Sequence, residues 1–264
     1  MKKRYIGFLF FVASFNTAAD TRSLPKLELG AALTTLEIPN YRGAQNTTRY
    51  FLPLPYIKYR GDRFKIDEGL QNFLLNSENL KLSISVSGAL PVNDDNPERI
   101  GMAELDATLS LGPSLDYRLV QQGSGDWWLK FPLRMAFTLN RDFSHIGQIF
   151  QPRLVWKKPM NYFGDWKIRA AIGPVYASRE FHNYYYGVNA ADALPTRPVY
   201  DADGGYSGWR GTLSYSKRYA QFWLGGFVRY DSLRHSVVEA SPLVSKPDAW
   251  FAGIAVGWVF LDLF

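Results

Sequence analysis

The sequence predicts an all-β fold, a transmembrane antiparallel up-and-down β-barrel of about twelve strands, within a range of about ten to fourteen. Three observations predict it. The chain opens on an export signal, and long segments behind it alternate apolar and polar residues with period two. No stretch after the signal is long and apolar enough for a helical span, which needs ~20 residues.

Lys2, Lys3 and Arg4 form a positive leader, Tyr5 to Phe15 an uncharged apolar run, and Thr17, Ala18 and Ala19 a small-residue cleavage site. Residues 1–19 therefore read as a signal peptide and 20–264 as the mature barrel domain. The formal charge is +6, and removing the three leader cations leaves +3, because residues 1–19 hold no acid. Such a mild excess excludes the concentrated basic stripe of a nucleic-acid binder and suits contact with anionic lipid head groups. With 0 cysteines, disulfides, thiolate metal sites and cysteine nucleophiles are all excluded. Aromatics reach 16%, and Tyr and Trp favour membrane–water interfaces. A mean hydropathy of −0.19 fits strands with one apolar and one polar face.

The clearest strand runs over 105–119. Leu105, Ala107, Leu109, Leu111, Pro113, Leu115, Tyr117 and Leu119 share one face; Asp106, Thr108, Ser110, Gly112, Ser114, Asp116 and Arg118 share the other. The same alternation recurs over 80–90, 127–139, 165–176, 206–217 and 221–231, and more weakly over 26–36, 49–60 and 148–158. A soluble β-sandwich also alternates, but these strands exceed the usual five or so residues, their apolar faces end in Trp or Tyr, and their polar faces carry mid-strand charges. In lipid such a sheet must close, because no water satisfies an open edge. Short turns fall at Arg60–Arg63, Gln122–Asp126 and Asn161–Asp165, with long connections at 91–103, 140–147, 187–205 and 232–248. Residues 181–187 read as strand or loop. Trp258, Phe260 and the terminal Phe264 resemble an outer-membrane assembly signal, although Asp262 stands where an apolar residue is expected.

The polar faces point Lys81, Lys130, Arg134, Lys167, Arg169, Arg210 and Arg229 into the lumen, with Asp106, Asp116, Asp165 and Asp231 as partners. These charges either brace a narrow barrel or line an anion-favouring pore. Catalytic signals are thin. His145, His182 and His235 fall in or near loops. Ser144 and Ser236 neighbour two of them, but adjacent strand residues point to opposite faces. Asp201-Ala202-Asp203-Gly204-Gly205 lacks the further ligands of a calcium loop. No cofactor or metal site is expected, and no enzymatic activity; the remaining enzymatic alternative is a hydrolase using a loop histidine.

Several ordered stretches resemble the MltA-interacting protein MipA/OmpV family of outer-membrane proteins. They are the segment with Pro39, Tyr41 and Gly43; the strand and turn with Pro53, Pro55, Tyr59, Arg60 and Gly61; Gly101 and Met102 followed by Gly112 and Pro113; Tyr186 and Gly187; Tyr200, Gly204 and Gly205; and Ser241 with Pro242. Composition assigns these mainly structural work: Gly43, Gly61, Gly204 and Gly205 suit tight turns, and Pro53 and Pro55 predict a bulged or half-paired strand. The resemblance implies a barrel in the outer membrane of a Gram-negative bacterium. It also implies a scaffold joining a lytic transglycosylase to a peptidoglycan synthase. The alternative reading is a small diffusion channel.

Overall fold

The computed structural model describes residues 26–61, 64–66, 70–72, 75–92, 96–122, 125–160 and 166–263. The signal peptide, Asp165, the Asn161–Asp165 turn and Phe264 lie outside the described residues. The strands are β1 (Leu27–Pro39), β2 (Thr47–Arg60), β3 (Phe64–Ile66), β4 (Leu70–Asn72), β5 (Leu75–Asn76), β6 (Leu80–Ala89), β7 (Thr108–Gln122), β8 (Gly125–Thr138), β9 (His145–Phe150), β10 (Arg153–Met160), β11 (Trp166–Ala177), β12 (Gly205–Tyr219), β13 (Phe222–Ser232) and β14 (Asp248–Leu263). One helix, α1 (Arg179–Tyr186), interrupts the β11–β12 connection.

All these strands belong to one antiparallel sheet with β4 at one end of the order and β5 at the other. Only residues 73 and 74 separate those two strands in sequence. Three peptide steps cover at most about 11 Å, whereas an open sheet of this many strands at about 4.8 Å spacing is several times wider. The sheet therefore closes on itself. β9 and β10 both lie between β8 and β11, broken at Gln151 and Pro152, and make one stave. Counting β4 and β5 as one stave as well, the fourteen segments form twelve staves among the described residues.

The alternation sets the faces. Along β8, Lys130, Arg134 and Thr138 are buried toward the lumen while Phe131, Leu133 and Met135 are exposed outward. The outward aromatics form two belts, as lipid interfaces favour. Trp127–Trp156, Trp166–Tyr215 and Trp258–Phe260 lie near the short turns and both chain ends. Phe150–Tyr176, Tyr176–Tyr206 and Tyr230–Trp250 lie nearer the long loops.

Two expectations are corrected, and of the two readings of β2 the half-paired one holds. Residues 179–186 form a helix, because Ser178 accepts a hydrogen bond from the Phe181 amide and caps its start. Asp106 is not lumenal: residues 90–107 fold back through a Val92–Leu105 bridge, so β7 begins only at Thr108 and Asp106 accepts a hydrogen bond from Asn140. The β2 prolines cause no bulge. β2 keeps an unbroken register with β1 from Tyr59 to Thr47, and Pro53 and Pro55 face outward. Its other edge meets β3 only at Tyr59 and Arg60 among the described residues, so the missing proline donors interrupt no second ladder.

The structure also accounts for Asp262. The β1–β14 register jumps between Leu29 and Gly30, leaving Phe260 as an extra residue. This bulge inverts the parity beyond it, so Asp262 turns inward to Arg218 at 3.3 Å. Close approach of backbones explains Gly112: a Cβ there would overlap the Leu133 carbonyl oxygen where the β7–β8 pairing skips from Leu111 to Ser114. Gly112→Val is expected to destabilise the barrel by about 1–3 kcal/mol, read as a lower urea midpoint for loss of the heat-resistant folded band on electrophoresis. A midpoint unchanged from wild type would refute the close-packing account.

Candidate functional site

The long connections all leave one end of the barrel and fold into a cap. Loops 40–46, 90–107, 178–204 and 233–247 share one apolar core containing Tyr41, Leu105, Tyr185, Tyr186, Leu233 and Val238. Met102, Val188 and Leu243 form a second cluster beside Tyr200. The core reaches down to Ala136, Ile149 and Val175 of the barrel wall, so the cap plugs the lumen at this end.

Family-motif residues scattered in sequence meet here. The Tyr41 hydroxyl donates to the Leu243 carbonyl at 2.7 Å, and the Ser241 hydroxyl to the Tyr186 carbonyl at 2.8 Å. The rings of Tyr41 and Tyr186 meet edge-on. Gly43, at φ +101, turns its carbonyl to accept from the amides of Ser245 and Lys246. Gly187 ends α1, and Val188 then bridges to Tyr200, whose hydroxyl donates to the Val237 carbonyl. Arg99 and Arg197, both buried, donate to carbonyls of neighbouring loops, Tyr185 from Arg99 and Glu98 and Ile100 from Arg197. Pro39 is buried where β1 enters the cap, and Gly204 lies against the start of α1. Gly101 and Gly205 adopt positive φ; Pro242 lies in the segment between Ser241 and Leu243. The remaining motif residues, Pro53, Pro55, Tyr59, Arg60, Gly61, Gly112 and Pro113, belong to the wall and its short-turn end. There Arg60 pairs with buried Glu28 at 2.7 Å, which also accepts from the Tyr56 hydroxyl.

Cap and wall are joined through Asp231, which is 1% exposed. Arg210 donates to it twice, at 2.7 and 2.9 Å, while Arg42 of the first loop and Arg229 make charge contacts at 3.3 and 3.4 Å. Arg229 also lies 3.6 Å over the Phe251 ring. Sequence reasoning had Asp231 as a lumenal acid but missed Arg42, whose only signal was a charge inside the Pro39–Ala44 motif. The other lumen charges divide. Lys130 pairs with Asp116, Arg134 donates to Ser85 and Gln151, and Lys81 sits 5.1 Å over the Trp128 ring. Lys167 and Arg169 line a cavity of about 510 Å³ in the lumen, toward the short turns. One feature of the lumen was not expected: Leu36, Trp223 and Phe227 line that cavity too, so part of the inner face is apolar.

The histidines form no common site. His145 is exposed with its ring against Phe137, and the exposed amide of His235 bonds Glu239. His182 is fully buried in the cap, its Nδ1–H donating to the Asp203 carbonyl at 2.6 Å. Burial pushes the His182 imidazole below its ordinary value, and the charge of Arg42 adds to this. Burial likewise raises the Tyr186 hydroxyl to about 12.

Asp231→Asn removes the acid under three arginines and is expected to destabilise the barrel by about 3–5 kcal/mol, measured by urea titration followed through tryptophan emission. For His182, the folded pKa lies below the unfolded one, so the unfolded segment binds the proton more readily. The stability it contributes is complete above about pH 6.5 and is lost as pH falls through the depressed value. Proteolysis within 178–204 is therefore expected to be faster at pH 5 than at pH 7.5, with the difference reduced in His182→Asn; equal rates in wild type would exclude the effect.

Comparison with known proteins agrees with this architecture. The chain is 26% identical over 190 residues to outer membrane protein Omp26La of Vibrio anguillarum, covering 69% of this chain and 66% of that one. It is also 26% identical over 215 residues to outer membrane protein OmpV of Vibrio cholerae, covering 76% of each. A Pseudomonas aeruginosa FadL homologue superposes with a TM-score of 0.38 at 10% identity, covering 90% of this chain and 78% of that one, a likeness too loose to bear on function. The family model described as MltA-interacting protein MipA matches residues 29–260. With its closed sheet, aromatic belts and relatives in the outer membrane, the chain belongs to the MipA family of outer-membrane β-barrel proteins.

Proposed function

We propose that this protein is a sealed outer-membrane anchor that holds a lytic transglycosylase, and through it a peptidoglycan synthase, at the inner side of the membrane. The observation that carries the reading is the cap, which plugs one end of the lumen with a packed apolar core. A plugged barrel offers the envelope its wall and its open end rather than a pore. Long loops of outer-membrane barrels face outward and short turns face the periplasm, which directs the uncapped end toward murein. The family's description as MltA-interacting supports the transglycosylase as partner. On this reading the protein performs no chemistry of its own.

A diffusion channel is the second reading, favoured by the charged residues beside the lumenal cavity; it requires the cap to move. Crosslinking in intact envelopes followed by affinity purification separates the two. A lytic transglycosylase enriched over a control barrel, with no stepwise current from the purified protein in planar bilayers, is the expected result. Stepwise currents without enrichment would replace the anchor with the channel.

A further inference from the structure

The lumen below the cap has two unlike walls. On one, the cavity is lined by Lys157 of β10 and Lys167 and Arg169 of β11, three cations against the single acid Asp126, which lies opposite Lys157 on β8. Toward the cap this cationic wall continues. Arg153 lies within electrostatic range of Arg169 and Arg210, and Arg134 within range of Arg153 and Arg210. Arg134 is buried with only the neutral partners Ser85 and Gln151, and its Nε has no hydrogen bond. The Nε of Arg153 is likewise buried without one, and Arg153 forms no ion pair among the described residues. Asp116, the acid within electrostatic range of Arg153, is already paired with Lys130. Guanidinium groups drawn out of water in this way favour an oxyanion that accepts from two of them at once.

The opposite wall is apolar. Trp223 and Phe227 of β13 and Leu36 of β1 face the cavity across a floor of Gly225, Gly253 and Ala255. A Cβ on Gly253 would press on Leu36 and Phe227, so the absence of a side chain there lets these two lie against the floor instead of being pushed into the cavity. The cavity, about 510 Å³, lies in the size range of small-molecule pockets. Apolar and aromatic lining with a few convergent charged groups is the usual composition of such a pocket.

We propose that the lumen is a binding pocket for a small amphipathic anion, a single apolar body carrying one carboxylate or phosphate head, entered from the short-turn end. The head engages Arg169, which lines the cavity, and Arg153 just beyond it toward the cap, and the body lies against Trp223 and Phe227. The cap excludes entry from the other side, so the ligand comes from the compartment the short turns face. This pocket is independent of the anchoring role.

The test uses the full mature barrel in zwitterionic lipid nanodiscs, with empty nanodiscs as the blank. Octanoate, octyl phosphate, octanol and inorganic phosphate are titrated by calorimetry and by quenching of tryptophan emission. Saturable binding of octanoate, octyl phosphate or both is expected, and whichever binds identifies the head. Arg153→Gln with Arg169→Gln is expected to weaken it by about tenfold or more. Gly253→Leu, which fills the floor and changes no charge, is expected to weaken it as far and keeps the test open should the double variant fail to fold. Octanol binding as tightly as the anions, inorganic phosphate binding as tightly as octyl phosphate, or full affinity in Gly253→Leu would each overturn the proposal.

Discussion

Hydrocarbon offers no partner to a backbone amide or carbonyl, and closure of the sheet follows from that constraint. The sequence meets it with strands long enough to cross lipid and a pairing order whose two ends lie two residues apart in the chain. Once the sheet is closed, every strand has an inside and an outside, and the period-two pattern becomes a radial one. Features that look irregular in one dimension then have a place. The β2 prolines face outward on a strand whose second edge is little used, and Asp262 is brought inward by the extra residue at Phe260.

Closure also creates a lumen that must be filled or kept hydrated, and this protein does both. At the long-loop end the loops supply an apolar core of their own, continuous with the inner wall. That core could slide as a unit if hydrophobic contact alone held it, because burial is not directional. Asp231 supplies direction. It binds Arg42 of the cap while Arg210 and Arg229 of the wall hold it in place. Neither the cap nor the wall can shift without separating buried opposite charges.

Much of the barrel was legible in the sequence because lipid and lumen impose opposite chemistry on alternate residues. The strands at 80–90, 127–139, 165–176, 206–217 and 221–231 appear in the structure within a few residues of their expected limits. What stayed hidden depends on contacts distant in sequence. The tyrosines of α1 read as strand formers until Ser178 caps them as a helix. Asp106 fits the alternation of β7 but belongs to a loop whose path is set by Val92 and Leu105. The aromatic lumen wall was missed because Trp223 and Phe227 are residue types expected to face lipid, although the alternation that points Arg229 and Asp231 inward puts them on the same face, and the register with β12 and β14 keeps them there.

The motif residues bear on what family membership means for this chain. Tyr41, Gly43, Met102, Tyr186, Gly187, Tyr200 and Ser241 are spread over four loops, yet each touches the cap's core or its internal hydrogen bonds. The pattern by which the chain is recognised is therefore largely the pattern that holds the cap together. A protein assembled from such residues inherits a plugged lumen before it inherits any partner. The short-turn end holds a smaller share of the pattern, where Arg60 pairs with buried Glu28 and Glu28 also accepts from the Tyr56 hydroxyl.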